Sequence, residues 1–256
     1  MHKTILVIPD PHDQPEISKD RFVCAGRLIY DKRPDAIVHL GDGLSLDSLC
    51  KYDEGTLTSE GRRLEDDLDS FKVAMDLLEG PMESHNERMR RSKKAQYTPR
   101  KVYCMGNHEQ RIMTAVNENP KLENILSFRQ LGLEERGWEV YPLTEPANVY
   151  GIAFAHYFTS GIMGRPISGI NHARNLVAKT YTSSVVGHSH DRSYWEDTDV
   201  FGNKVFGLVG GCFFDHDLKY TREEDRNWAG LILLRVEEGH VDPEFISLKR
   251  IMEEYS

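Results

Sequence analysis

Five short apolar runs in this sequence each stop at Asp, Asn or His residues, and this repeated pattern constrains the fold more than any other feature. Because the carboxyl ends of parallel strands meet along one edge of a sheet, where α/β folds place their sites, we expect these polar residues to converge. Carboxylate, amide and imidazole groups bind metals, so the pattern predicts a metal site at that edge. In chain order, the runs and the residues that follow them are 4–9 before Asp10-Pro11-His12, 35–40 before Gly41-Asp42, 101–105 before Gly106-Asn107-His108-Glu109, 151–155 before His156, and 183–186 before Gly187-His188-Ser189-His190.

The order of the predicted elements favours an α/β fold. Residues 4–9 form a short apolar run, as in a strand buried on both faces, and 36–40 are predicted as a second buried strand; residues 17–32 between them carry apolar side chains at helical spacing. A strand–helix–strand unit pairs its strands in parallel. The second half adds short strands without a linker or repeat, so we expect one domain over 1–256 with two sheets and helices outside.

A second helix is predicted at 64–78, and Gly80-Pro81 is expected to end it. The following stretch has few apolar residues, so we interpret 81–101 as a basic insertion and 88–101 as a mobile loop or frayed helix end. Its basic residues are Arg88, Arg90, Arg91, Lys93, Lys94, Arg100 and Lys101.

Composition narrows the class of protein. The chain carries 32 Lys and Arg against 41 Asp and Glu, a net charge of −9 that argues against general polyanion binding. Its four cysteines form no Cys-x-x-Cys pair, so we expect free thiols and a cytoplasmic setting. No apolar run approaches the ~20 residues of a membrane span, so no membrane partner is expected.

Each short motif is weak evidence when taken alone. Asp10 could cap a turn, Gly41-Asp42 could be an ordinary turn, and Asn107 could cap the helix that follows it. The pair His188 and His190 is more informative, because an extended backbone would project both rings from one face.

Together, and in this order, the motifs resemble those of the calcineurin-like metallophosphoesterase family. The resemblance covers Asp10 to His190, and the stretches 39–42 and 106–111 are similar to a branch with bacteriophage and bacterial members. It implies a four-layer αββα sandwich of two mixed sheets flanked by helices. It also implies two divalent ions, with Asp10, His12, Asp42 and His190 holding one, and Asp42, Asn107, His156 and His188 holding the other. Mn²⁺ is preferred, and Fe, Zn, Ni and Co are alternatives.

The resemblance further implies hydrolysis of phosphate esters by a hydroxide that bridges the two metals. His108 would protonate the leaving oxygen or stabilise the transition state, and Glu109 would orient its ring. Arg111, one helical turn away, could bind a substrate phosphate, or it could be a surface arginine paired with Glu109 or solvent.

Two positions depart from the family pattern. The family commonly has Gly-Asp-x-x-Asp, whereas Ser45 takes the last position here. The family's single His is usually followed by Gly, but Tyr157 follows His156, which leaves His172 as a rival ligand. The loop at 212–220 is polar and could line the pocket.

Three functions remain open from the sequence. The first is a phosphoesterase acting on a small phosphodiester, phosphomonoester or nucleotide. The second is a nuclease that grips DNA or RNA through residues 88–101, whose end lies roughly 17–20 Å, one strand length, from the site. The third is a non-catalytic scaffold. A scaffold has no need of the seven candidate metal ligands or of His108, so their presence makes this the least favoured of the three functions. Nothing in the sequence specifies the oligomeric state.

Overall fold

The computed structural model of the chain describes residues 2–216, 227–237 and 240–256. Its strands are β1 (Lys3–Ile8), β2 (Ala36–His39), β3 (Arg100–Cys104), β4 (Glu139–Tyr141), β5 (Ala147–Val149), β6 (Ile152–Phe154), β7 (Thr159–Ser160), β8 (Arg165–Pro166), β9 (Ser184–Val186), β10 (Arg192–Thr198), β11 (Lys204–Gly210), β12 (Gly230–Glu237) and β13 (His240–Ser247). Its helices are α1 (Asp20–Lys32), α2 (Leu64–Arg91), α3 (Gln110–Glu118), α4 (His172–Thr180) and α5 (Leu248–Tyr255).

The first sheet has six strands in the order β13-β12-β1-β2-β3-β4. β1, β2, β3 and β4 run parallel, whereas β12 and β13 are antiparallel to their neighbours. Parallel pairing places the carboxyl ends of β1, β2 and β3 side by side. The turns that begin at Asp10, Gly41 and Gly106 therefore leave the same edge of the sheet, as the sequence predicts.

The central strands are buried on both faces. Leu6 and Ile8 of β1 pack into the cluster that contains side chains of α1 and α2, while Ile5 and Val7 point into a second cluster between the two sheets. Successive side chains of a strand alternate between faces. A strand covered on both sides is therefore apolar at every position, which explains the uniform runs in the sequence.

The second sheet has five strands in the order β10-β11-β9-β6-β5, with β6, β9 and β11 parallel. Phe154, Val185 and Leu208 face the first sheet, and α4 covers the outer face through Ala173 and Leu176. The layers run helices, sheet, sheet, helix. The predicted αββα sandwich of two mixed sheets is confirmed.

The prediction that Gly80-Pro81 ends the second helix is wrong. α2 continues through Pro81 to Arg91, although proline lacks the amide hydrogen that an interior helical position normally donates. Packing offsets this loss, since Met82 and His85 are both buried beyond the proline. The His85 ring also lies 3.1 Å from the hydroxyl of Tyr30 on α1.

The basic segment, predicted as a mobile loop or a frayed helix end, begins as the end of α2 and is anchored to the fold beyond it. Its first part, up to Arg91, is helical, and Asn86 exchanges two hydrogen bonds of 2.7 and 2.8 Å with the backbone of Tyr97. Arg100 opens β3 and forms two hydrogen bonds with Glu139. The segment therefore lies at the amino end of β3, on the edge of the sheet opposite the turns at Asp10, Gly41 and Gly106.

Among the described residues, no helix is long and apolar enough to cross a membrane.

Candidate metal centre

The predicted ligands converge into buried groups where the two sheets meet. The ligand atoms of Asp10, His12 and His190 lie within 4.8 Å of one another, and so do those of Asp42, His156 and His188. In a third group, the ligand atoms of His12, Asp42 and His108 also lie within 4.8 Å of one another. Asp42 belongs to two of these groups.

The first group lies between β1 and the turn after β9. Nε2 of His190 is 3.6 Å from Oδ2 of Asp10 and 3.1 Å from Nε2 of His12. Nε2 of His12 is in turn 3.7 Å from Oδ2 of Asp42. Within the described part of the chain, Oδ1 of Asp10 is fully buried and receives no hydrogen bond. A buried carboxylate oxygen without a donor is costly unless a cation binds it, so the group fits a divalent ion.

The second group lies where the turns after β2, β6 and β9 meet, and Asn107 in the turn after β3 lies beside it. Nε2 of His156 is 3.2 Å from Oδ2 of Asp42 and 3.0 Å from Oδ1 of Asn107. Nδ1 of His156 donates a hydrogen bond of 2.8 Å to the carbonyl oxygen of Leu40. Metal-binding histidines commonly donate the other ring nitrogen in this way, which leaves Nε2 to bind the metal.

His172, the rival ligand, lies outside these groups. Its Nδ1 is 3.1 Å from the hydroxyl of Ser189, which donates to Asp191 at 2.7 Å. Ser189 stands between His188 and His190, so His172 supports the turn that carries them. The structure thus brings His156 to the centre despite the Tyr157 that follows it.

The pKa shifts at the centre differ between its acidic residues and are alike in two of its histidines. Burial raises the pKa of Asp10 well above its ordinary value. Burial would also raise the pKa of Asp42, but the charges of His156 and His108 outweigh burial and hold that pKa well below its usual range. Burial lowers the pKa of His188 and His190 to about 4 each. Both rings are therefore neutral at pH 7, the form in which imidazole binds metal.

His156 is the exception among the histidines. Burial by itself would lower the pKa of His156. The carboxylates of Asp42 and Asp10 together outweigh burial and raise that pKa to about 10. The protonated ring supplies positive charge between two acidic side chains. A bound cation would supply the same charge, so this arrangement also fits a metal centre.

The backbone is left-handed at five of the seven predicted metal ligands. Each such residue with a positive φ costs on the order of 1–3 kcal/mol, and such strain concentrates at functional sites. The interpretation of His188 and His190 as extended is wrong, because both rings reach the centre from a left-handed turn. The φ values are 32° at Asp10, 45° at His12, 45° at Asp42, 72° at His188 and 57° at His190.

Two glycines leave room for the carboxylates. A Cβ on Gly187 would collide with Oδ1 of Asp10, and a Cβ on Gly106 would collide with Oδ1 of Asp42. These contacts explain why glycine precedes both His188 and Asn107. In both turns the missing side chain creates the space that the acidic ligand fills.

The predicted role of Glu109 needs correction. The Glu109 carboxylate accepts hydrogen bonds from three backbone amides and from the hydroxyl of Tyr103. The His108 ring is oriented by another residue, since its Nδ1 donates to the carbonyl oxygen of Ser45 at 2.7 Å. Nε2 of His108 is then 3.9 Å from Oδ2 of Asp42.

Arg111 secures the loop that contains Ser45. Its Nη1 donates to the carbonyl oxygens of Ser45 at 2.9 Å and Leu46 at 3.3 Å, and it lies 3.6 Å from the carboxylate of Asp47. Its Nη2 is 3.5 Å from Nε2 of His108. Arg111 is therefore beside the centre, and its anionic partner is Asp47.

Sequence reasoning missed some supporting groups. The carbonyls of Leu40 and Ser45 hold His156 and His108, but a backbone carbonyl is present at every residue and leaves no signal in the sequence. The ring of Phe214 packs edge-on against His12 and His190 at 5.4 and 5.2 Å. Its only signal was its place in the polar loop at 212–220, of which residues 217–220 lie outside the described residues.

Comparisons with known proteins show distant relatives. No protein-family model matches the chain. It is 26% identical over 264 residues to the Gene 54 protein of Mycobacterium phage L5, covering 97% of this chain and 94% of that protein. It is 23% identical over 271 residues to the Gene 54 protein of Mycobacterium phage D29, with the same coverage of 97% and 94%. A solved structure similar to the chain is that of a conserved uncharacterized protein, a predicted phosphoesterase, from Streptococcus pneumoniae TIGR4. The likeness has 14% identity, a TM-score of 0.40 and coverage of 97% of this chain and 91% of that chain.

Proposed function

We propose that this protein is a metal-dependent phosphoesterase that hydrolyses a small phosphodiester or phosphomonoester, with nucleotides among the candidate substrates. The observation that carries the proposal is the sharing of Asp42 between buried ligand groups. One carboxylate oxygen of Asp42 lies 3.2 Å from His156 and 3.7 Å from His12, which belong to different groups. A carboxylate shared in this way is suited to bridge two cations.

Under this proposal two divalent ions bind at the centre. Mn²⁺ is preferred, with Fe, Zn, Ni and Co as alternatives, because the donors are oxygen and nitrogen without sulfur. When bound, two such ions lower the pKa of water and neutralise charge on a phosphoryl group. The residues proposed to hold the first ion are Asp10, His12, Asp42 and His190, and those proposed for the second are Asp42, Asn107, His156 and His188.

His108 is the proposed general acid. The bond from its Nδ1 to the carbonyl oxygen of Ser45 leaves Nε2 directed at the centre, 3.9 Å from Asp42. A protonated Nε2 would donate its proton to the leaving oxygen of the ester. Arg111 is proposed to bind a phosphate oxygen through Nη2, which lies 3.5 Å from the same ring nitrogen.

Two alternatives have less support. The nuclease hypothesis depends on the basic residues at 88–101, which lie at the amino end of β3 and thus on the edge of the sheet away from the centre. The scaffold hypothesis leaves the strained ligand backbone unexplained.

We also propose that residues 1–256 form one domain with an insertion at 81–101, and that four free cysteines suit a cytoplasmic setting.

An assay of the Mn²⁺-loaded protein tests the proposal directly. The substrates would be phosphomonoesters, cyclic nucleotides, dinucleotides and DNA, each offered to the same preparation before and after chelation. We expect hydrolysis of at least one small ester that chelation abolishes. A protein that binds its ions and hydrolyses none of these esters would contradict the proposal.

A further inference from the structure

The Glu109 side chain joins the two turns that carry Asp42 and Asn107. Its Oε2 accepts hydrogen bonds from the backbone amides of Asp42 at 3.0 Å and Gly106 at 2.8 Å. Its Oε1 accepts from the amide of Gly43 at 2.8 Å and from the hydroxyl of Tyr103 at 2.7 Å. Glu109 is completely buried, so these four donors replace water around its carboxylate.

The arrangement is reciprocal. Oδ1 of Asp42, in the turn after β2, accepts a hydrogen bond of 2.9 Å from the backbone amide of His108, in the turn after β3. The turn after β2 thus donates two backbone amides to Glu109, and the turn after β3 donates one to Asp42. We call this pair of carboxylates, Asp42 and Glu109, the carboxylate clasp.

The carboxylate clasp determines which oxygen of Asp42 is available. Its Oδ1 is occupied by the amide of His108, and its Oδ2 is the atom that lies 3.2 Å from His156. Asp42 also has a left-handed backbone, which is unfavourable for a residue with a side chain. Hydrogen bonds from its own amide and from that of Gly43 to Glu109 stabilise this conformation.

We propose that Glu109 is a positioning residue for the metal ligand Asp42: it holds the turn of Asp42 so that Oδ2 stays between the two ligand groups. The inference rests on the proposed function, because it gives Glu109 a role in forming the metal centre. It also replaces the expected role of Glu109 toward the His108 ring.

Glu109→Gln tests the inference with little change in shape. The amide nitrogen of glutamine cannot accept a hydrogen bond, so at least one of the three backbone amides loses its acceptor. Backbone exchange measured by NMR on the metal-free protein should be at least about tenfold faster at Asp42, Gly43 or Gly106, as expected for the loss of a hydrogen bond to a charged group. Affinity for Mn²⁺, measured by calorimetry, should fall roughly 10- to 100-fold, the usual effect of removing a group that supports a metal ligand.

Glu79→Gln is the matched control. Glu79 is also buried, at 3% exposure, and its carboxylate accepts hydrogen bonds from Lys101, Arg136 and Trp138 rather than from a ligand turn. This variant should lower the melting temperature and leave Mn²⁺ affinity unchanged. Equal losses of Mn²⁺ affinity in the two variants would show a general effect of stability and overturn the inference.

The remaining outcomes are also decisive. Unchanged amide exchange in Glu109→Gln would overturn the carboxylate clasp, whatever the metal affinity. If the parent protein binds no Mn²⁺, the proposed function fails, while faster exchange in the variant would still support the contacts of the clasp. If Glu109→Gln does not fold, Tyr103→Phe removes one donor to the same carboxylate. Faster exchange at Gly43 would then support the inference, and unchanged exchange would overturn it.

Discussion

Nε2 of His156 lies 3.2 Å from Oδ2 of Asp42, although Asp42 follows a strand of the first sheet and His156 follows a strand of the second. The contact joins the carboxyl edges of the two sheets at a single carboxylate. His156 is completely buried and Asp42 is 2% exposed, so their interaction is shielded from solvent. The candidate centre therefore depends on how the two sheets pack, and Asp42 is its common element.

Asp42→Ala should remove both metal ions and abolish hydrolysis. The variant loses the oxygen that lies near both ligand groups, while the apolar cores that hold the sheets are unchanged. Elemental analysis would count the bound metal, and circular dichroism would report the fold. Asp42→Asn is the matched variant, because asparagine tolerates the left-handed backbone and can still accept from the amide of His108. Two equivalents of metal retained in Asp42→Ala would refute the shared-ligand assignment.

His108→Ala should keep both metal ions and lose turnover. General acid catalysis typically contributes ~10²–10⁴-fold in rate, and the loss should be largest for esters with poor leaving groups. Turnover of an alkyl phosphate ester and of a nitrophenyl ester would be compared at equal metal content. His85→Ala is a suitable control, since His85 is a buried histidine that contacts Tyr30 and Arg33 away from the centre. An alkyl ester hydrolysed at the parent rate would count against this role.

Replacing Arg90, Arg91, Lys93 and Lys94 by Ser should leave hydrolysis of a small diester unchanged. The four residues precede β3, and its five residues separate them from the centre by roughly 16 Å or more along the sheet. We expect the parent protein to show no salt-sensitive binding of DNA or RNA. Binding that weakens steeply with salt in the parent but not in the variant would instead show counterion release from a nucleic-acid backbone and favour the nuclease.

Asp67→Asn should make the protein more stable at neutral pH. Burial raises the pKa of Asp67, and hydrogen bonds from Ser48 only partly oppose this. The folded state therefore binds the proton more tightly than the unfolded state, so stability is present at low pH and decreases as the pH rises through the raised pKa. Oδ2 accepts both bonds from Ser48, at 3.1 and 2.6 Å, and the amide oxygen of asparagine can accept both.

Melting temperatures between pH 4 and pH 8 would check this prediction. The advantage of Asp67→Asn over the parent should be largest at pH 8 and should shrink as the pH falls through the raised pKa toward the ordinary value of 3.8. A constant difference across this range would show that ionisation of Asp67 does not affect stability.

Much of the fold could be predicted from local pattern. The run at 5–9 is apolar at every position because Leu6 and Ile8 face helices while Ile5 and Val7 face the second sheet. Such a strand has no solvated face, so the pattern itself indicates the layers around it. The end of α2 could not be predicted in this way, because burial of Met82 and His85 outweighs the local effect of Pro81.

The sequence alone determined the candidate ligands, because a strand buried on both faces can present polar side chains only where it ends. Asp10, Asp42, Asn107 and His190 could be selected by that position without knowledge of their partners. Tertiary structure decided how they are used. It selects His156 over His172, turns Glu109 toward the backbone of Asp42, and makes the backbone left-handed at the turns. These outcomes depend on contacts between segments far apart in the chain, and local sequence carries no record of such contacts.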